Sequence, residues 1–412
     1  MPKTKRGMLI AASLTMILMG AVAVLTGALL PVIVDDLALQ PAQAGLLVSV
    51  PAIGYIVAAT LAGVVGDAWG FRRVWLLGIC TSIVALVGVA LTPSFGWLLP
   101  AVAAVGLVGG FSDVAIAALV GTLSAERSGS ALNRVYLFFA VGASTAPFMV
   151  GLALRWNIPW RWQYAALALP SMAILLLLLR THVRQPAGET APVRSPQVRR
   201  GFNRQLLASP RILVIVLVMA LYTGVEGSMF SWVAYYLVHA RDLMAATASL
   251  GVSLFWVGIV AGRFLCGQLA ERMGYGSVVI GGGLIGAVGI ALLLLLPGQW
   301  LPWAGVLLTG LAFGGIYATI LATALAHAQG RVGAVTGLVS SGGGVGKIIT
   351  PWLVGLVIDG FNLPAGMSLI AGLAALMALL YAWGMQAQIT GRAHPPSNEL
   401  SGYHRGKYTN VH

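Results

Sequence analysis

Apolar runs long enough to cross a membrane recur along the whole chain. They fall at about 8–34, 44–66, 74–92, 97–120, 132–154 and 162–180, and again at about 212–238, 246–268, 277–296, 302–326, 332–358 and 365–386. About 18 apolar residues suffice to span a hydrocarbon core of roughly 30 Å as a helix. Inside lipid a backbone finds no water to bond, so such runs fold as helices. The expected fold class is an all-α membrane protein with twelve transmembrane helices. Of the 412 residues, 58% are hydrophobic and 8% charged, where a soluble domain carries roughly 25% charged residues. The basic start before Met8 to Val34 has the outline of a signal peptide. That run is too long and lacks a small-residue cleavage site, so it reads as a retained first span.

The spans are duplicated. Gly63-Val-Val-Gly-Asp67-Ala-Trp-Gly70-Phe-Arg72-Arg73 joins spans two and three, and Gly267-Gln-Leu-Ala-Glu271-Arg272-Met-Gly274 joins spans eight and nine, 204 residues on. Each copy has an acid at the fourth position after its first glycine and a further glycine three residues later. Pro147 to Gly151 in span five matches Pro351 to Gly355 in span eleven at the same offset, and Gly109-Gly110 in span four has its counterpart in Gly314-Gly315 in span ten. Repeated prolines and glycines mark where helices kink or approach closely. Two pseudo-symmetric six-helix bundles follow. The boundaries expected are 1–180 for the first bundle and 181–210 for a polar, Pro- and Arg-rich linker. The second bundle then covers 211–387, and a disordered tail 388–412.

The net charge of +13 is a matter of topology and requires no nucleic acid. Lys3, Lys5, Arg6, Arg72, Arg73, Arg127, the run from Arg180 to Arg211, Arg272, Arg331, Arg392, Arg405 and Lys407 fall on one side; the other side holds Arg155, Arg161 and Arg241. That bias puts both termini and the linker in the cytoplasm of an inner (plasma) membrane. Cys80 and Cys266 lie inside spans and offer neither metal spacing nor a disulfide framework. The glycine run before Lys347 is not a phosphate loop, because Ser341 stands where its first glycine belongs and Ile348 where Ser or Thr belongs. With no triad, metal cluster or nucleotide motif, the chain is not read as an enzyme.

Twelve spans, a basic central loop and the Gly-x-x-x-Asp-x-x-Gly-x-Arg-Arg loop resemble the major facilitator superfamily over essentially the whole membrane region. The resemblance implies two bundles that rock about a central cavity. It also implies a gating charge network of Asp67, Arg72 and Arg73 in the first half and Glu271 in the second, with Arg263 beside it.

Charges at mid-membrane cost at least about 2.5–3.5 kcal/mol, so each is a candidate for function. Four stand out: Asp113 in span four, Arg134 near the start of span five, Glu226 in span seven and Lys347 in span eleven. For Asp113 and Glu226 desolvation favours the protonated form, which makes them candidate proton carriers. An Asp113–Arg134 ion pair and an interhelical hydrogen bond from Glu226 are the structural alternatives. Lys347 is expected to pair with one of the acids or to bind an anionic solute. Tyr136, Trp232, Tyr235, Trp256 and Tyr317 are candidates to stack on a ligand, packing or interfacial anchoring being the alternative. His239 and His327, near loop ends, carry little signal.

Tyr222-x-Gly224-x-Glu226-x-Ser228 with Tyr236-Leu, and Gly110-x-x-Asp113 with Leu132-Asn133, are similar to the fucose, galactose and glucose proton symporters. That likeness implies proton or sugar handling by Asp113 and a substrate contact at Asn133. Those symporters also carry an acid in span one, where Met19 to Gly27 has none. The span-eleven lysine is similar to that of the oxalate/formate exchangers, and Gly142 to Pro147 loosely echoes a motif of drug exporters. The expectation is a monomeric, proton-coupled carrier of a small polar organic solute such as a sugar in the lipid bilayer, with no cofactor beyond a proton gradient. An organic-anion exchanger, a drug or metabolite exporter and a non-cycling membrane scaffold stand as alternatives.

Overall fold

The computed structural model describes residues 3–123, 128–181, 209–327 and 332–385. It is built of helices: α1 Lys3–Leu37, α2 Pro41–Trp69, α3 Phe71–Ala90, α4 Phe95–Leu123, α5 Ser128–Arg155, α6 Trp160–Ala166, α7 Ala168–Arg180, α8 Pro210–Arg241, α9 Ala245–Met273, α10 Tyr275–Leu295, α11 Pro302–Phe313, α12 Ile316–Ala326, α13 Val332–Gly360 and α14 Leu363–Gly384. Helices α6 and α7, parted at Leu167, form one crossing, and α11 and α12, parted at Gly314-Gly315, form another. Twelve units of membrane-spanning length result, in the expected order. The linker expected over 181–210 lies outside the described residues apart from 181, 209 and 210, and the tail 388–412 lies wholly outside them.

Local chemistry sets the ends. Pro41 opens α2 at a position that needs no N–H, and the Gln43 side chain reaches back 3.0 Å to the Gln40 amide. Asn362 caps α14 by accepting from the Ala365 amide at 2.8 Å. The two loop motifs turn on Gly70 (φ 89°) and Gly274 (φ 81°), a left-handed backbone that glycine adopts without a Cβ penalty.

Packing repeats with the sequence. Helix α2 lies on α4 in the first half as α9 lies on α11 in the second. A Cβ added to Gly110 would sit 2.3 Å from the Tyr55 carbonyl oxygen, and one on Gly314 2.4 Å from that of Ile259. Glycine and partner are both 204 residues apart, so the duplication extends to individual contacts. The two halves meet where α2 packs on α13 and α5 on α9, a single contact made twice by the pseudo-twofold, with α1 against α8 between them.

That seam is closed at one end only. At the end away from the chain termini, a Cβ on Gly45 would lie 2.9 Å from the Pro351 carbonyl oxygen, and one on Gly355 2.5 Å from that of Pro41. One on Gly151 would lie 2.5 Å from the Ala246 carbonyl oxygen. Toward the termini, Gly63, Gly121 and Gly337 have nothing within 4 Å. The protein is captured open on the side of its termini.

Candidate functional site

The interior acids are held by tyrosines. Asp113 of α4 accepts from the Tyr55 hydroxyl of α2 at 2.6 Å and, on its other oxygen, from the Tyr136 hydroxyl of α5. These are its partners, in place of the alternative ion pair with Arg134, which lies exposed near the start of α5. Tyr55 is a site residue that the sequence reading missed. Glu226 of α8, 7% exposed, accepts from Tyr222 one turn earlier at 2.7 Å. The same Tyr222 hydroxyl lies 3.1 Å from the carbonyl of Phe313, where α11 ends and its last carbonyls lack helical partners.

Tyr317 links the two acids in space. It opens α12 just past the Gly314-Gly315 break and sits 6.3 Å, ring to ring, from Tyr222. It lies beside Ser340 of α13 and within electrostatic reach of both Glu226 and Asp113. Arg263 of α9 lies within similar reach of Tyr222. Asp113 and Glu226, one from each half, therefore face a shared polar region lined by Tyr55, Tyr136, Tyr222 and Tyr317.

Lys347 lies on the rim of this region. Seven residues beyond Ser340, it shares that residue's helix face, and its Cγ passes 3.9 Å from where a Cβ of Gly227 would be. The pairing expected with Asp113 or Glu226 is not made in this conformation; tyrosine hydroxyls are the side-chain partners of both acids. Pro351, one turn on, has no N–H to give the Lys347 carbonyl, so α13 is weakened at the lysine.

Two expected aromatic contacts are placed elsewhere. Trp232 is fully buried and donates to the Pro351 carbonyl at 3.1 Å, a packing role within the second half. Tyr235 lies at the closed end, stacked on His239 with ring centroids 4.0 Å apart. Trp256, by contrast, is 5% exposed, and its indole N–H has no partner. It sits between Phe139 of α5 and Phe230 of α8, at 5.7 and 6.0 Å, and so touches both halves.

The residues expected to gate are not gathered among the described residues. Arg72 donates to the carbonyls of Leu178 and Thr181 at 2.7 and 3.1 Å, capping α7, while Asp67, Arg73 and Arg263 are exposed. The side chains of Asn133 and Glu271 lie outside the described residues. A cavity of about 680 Å³ opens at the terminus end between α10, α12 and α14, lined by Tyr275, Thr323, His327 and Tyr381, and contains neither acid. Among the described residues no His, Cys, Asp or Glu cluster has metal-binding geometry.

The family model described as Major Facilitator Superfamily matches residues 11–329 and 227–404. The chain is 26% identical over 349 residues to the fosmidomycin resistance protein of Escherichia coli (strain K12), covering 82% of each. Among solved structures it is similar to a point mutant of the nucleoside transporter NupG, with TM-score 0.78, 14% identity, and 93% of this chain and 100% of that one covered. It is equally similar, with TM-score 0.78 and 16% identity, to a bacterial homologue of the human lysosomal transporter Spinster in an inward-facing, unoccupied conformation. That match covers 96% of this chain and 100% of the other.

Proposed function

The chain belongs to the major facilitator superfamily, and from that premise we propose that it is a proton-coupled secondary transporter, carrying a small polar organic solute by alternating access. One observation carries the reading. Each half brings one carboxylate to a shared region, and each carboxylate is held by tyrosine hydroxyls instead of by a cation. A carboxylate fixed by neutral donors keeps its full charge, and closing that charge away from water is costly. Protonation removes the cost, so the protonated, loaded carrier reorients and the ionised one waits for a proton. Hydroxyl groups on a solute suit the tyrosines and Ser340, which donate and accept alike. The excess of Lys and Arg on one side favours an inner membrane with both termini cytoplasmic, which makes the captured state inward-open.

Lys347 favours a second reading. A lysine on the rim with no carboxylate partner among the described residues suits an anionic solute, and with it an anion carrier or exchanger.

The two readings separate experimentally. Melting of the purified protein is followed with glucose, xylose, uridine and a series of small carboxylates and phosphonates, since a bound solute raises the midpoint by linkage. Any stabilising solute is then carried into proteoliposomes under an imposed proton gradient. Asp113→Asn and Glu226→Gln are expected to lose gradient-driven accumulation while keeping solute counterflow. Accumulation undiminished in both variants overturns proton coupling by these acids. Stabilisation by anions alone, lost in Lys347→Met, transfers the assignment to the anion carrier.

A further inference from the structure

The closed end of the seam carries an ion pair that joins the two halves. Asp35, in the last turn of α1, faces His239, in the last turn of α8, with Oδ1 and Nε2 3.5 Å apart. The hydrogen bonds that hold Asp113 and Glu226 each close within one half; this contact crosses between them.

The imidazole is fixed on its other side. Its Nδ1 lies 3.0 Å from the Tyr235 carbonyl, and its ring is stacked on that of Tyr235. A carbonyl oxygen only accepts, so Nδ1 carries a hydrogen. In the neutral ring Nε2 is then a lone pair aimed at a carboxylate. When the ring is charged, Nε2 becomes an N–H directed at the same oxygen. One proton therefore changes the sign of the contact as well as its strength.

The other charges nearby are already engaged or lie on other elements. Asp36 of α1 takes Arg161 of α6 at 2.6 Å and the Trp160 indole at 3.0 Å. Arg241, on the same helix as His239, donates to the carbonyls of Leu293 and Leu294 at 2.8 Å each, and Asp242 caps that helix. Helix α13 ends near Asp359; α12 and α14 carry no charged residue, and α9 carries none before Arg263. Arg155, which ends α5 on this side, and Asp359 form no ion pair with either residue among the described residues, so Asp35 and His239 face each other.

We propose that Asp35 and His239 form a proton-sensitive latch on the alternating-access cycle. The protonated pair holds the end away from the termini shut, and loss of the proton releases it. The proposal rests on the alternating-access reading above and is independent of the solute. Histidine is the residue type that changes charge between about pH 5 and 8, so the latch would report the acidity of the compartment facing that end. The pair is half-exposed, so its leverage is modest: a shift of about two- to fivefold in the ratio of shut to open states.

Spin labels on Trp156→Cys and Met244→Cys, both exposed and on opposite sides of the closed seam, read that ratio as two distance populations. The full chain with Cys80→Ser and Cys266→Ser is measured in nanodiscs at about pH 5.5 and about pH 8, spanning the histidine range. The longer distance is expected to gain about two- to fivefold in weight at the higher pH. Asp35→Asn and His239→Gln should abolish that response and favour the longer distance throughout, while His239→Lys should hold the shorter one at both values. A wild-type pH response retained in Asp35→Asn and His239→Gln overturns the latch. Gly45→Leu, which wedges the same seam by sterics alone, separates the two readings. If it produces the longer distance while the unmodified seam ignores pH, the latch fails and alternating access stands. If no variant ever shows a second distance, alternating access fails and the latch fails with it.

Discussion

A buried carboxylate needs donors, and in this protein tyrosine supplies them. Tyr222 and Glu226 are four residues apart, about 40° around a helix, so the sequence alone brings them together. Trp232 and Tyr235 follow Glu226 by six and nine residues, about 240° and 180° of turn, which carries both to other faces. The acids were legible as charges in apolar runs. Tyr55 was not, because a lone tyrosine in a span has the same sequence signature as an interfacial anchor. His239 was passed over for a similar reason: its partner is on another helix 204 residues away. Tyr222→Phe should destabilise the protein by about 1.5–3 kcal/mol, the worth of a hydrogen bond to a charged group, because Glu226 keeps no other side-chain donor. A melting midpoint unchanged in neutral buffer would show that Glu226 does not depend on that hydroxyl. Trp256→Phe is expected to act in the opposite direction. It removes an indole N–H that has no partner, whose burial costs about 1–3 kcal/mol, and it keeps a ring against Phe139 and Phe230. The ligand-free variant should melt higher than the parent.

Helices and their order were legible because lipid imposes length and apolarity together, and the loop glycines because both copies need a positive φ. The partition of the sixth crossing at Leu167 had a signal in the sequence that the reading of one continuous span did not use: Pro170 has no N–H for the Ala166 carbonyl, and the helix breaks just after Ala166. The Pro147–Gly151 and Pro351–Gly355 repeats announced close approach without saying to what. The partners turn out to be α9 and α2 across the seam, where backbones touch with no side chain between them. Gly45→Leu should therefore force α2 and α13 apart, since even its Cβ meets the Pro351 carbonyl oxygen at 2.9 Å. The expected result is faster maleimide labelling of Phe230→Cys, in a chain lacking Cys80 and Cys266, from the side away from the termini. Labelling as slow as in the parent would mean that the seam yields elsewhere.

The proposed rocking of one half on the other accounts for glycines that do nothing in this conformation. Along α2, Gly45, Ile56 and Gly63 lie on one face, Gly63 being 18 residues, or about five turns, past Gly45. Along α13, which runs the opposite way, Gly337, Gly344 and Gly355 do the same. Gly45 and Gly355 touch at the shut end, and a Cβ on Gly344 would meet Ile56 at 2.7 Å in the middle. Gly63 and Gly337 should come next, yet neither has a neighbour within 4 Å. The two helices diverge toward the termini, and the stripe continues past the point where contact stops. Asp67, Arg72 and Arg73 follow shortly after Gly63, and they too form no ion pair among the described residues while this end is open. Small residues held in register with nothing to pack against fit the other conformation of the proposed cycle, in which this end closes. Gly63→Leu should then leave the melting midpoint of the present state within about 0.5 kcal/mol of the parent, as an exposed substitution does. It should also abolish turnover while still admitting solute from the open side. Binding by isothermal calorimetry against counterflow in proteoliposomes tests the split, and normal counterflow would show that α2 and α13 never close at that end.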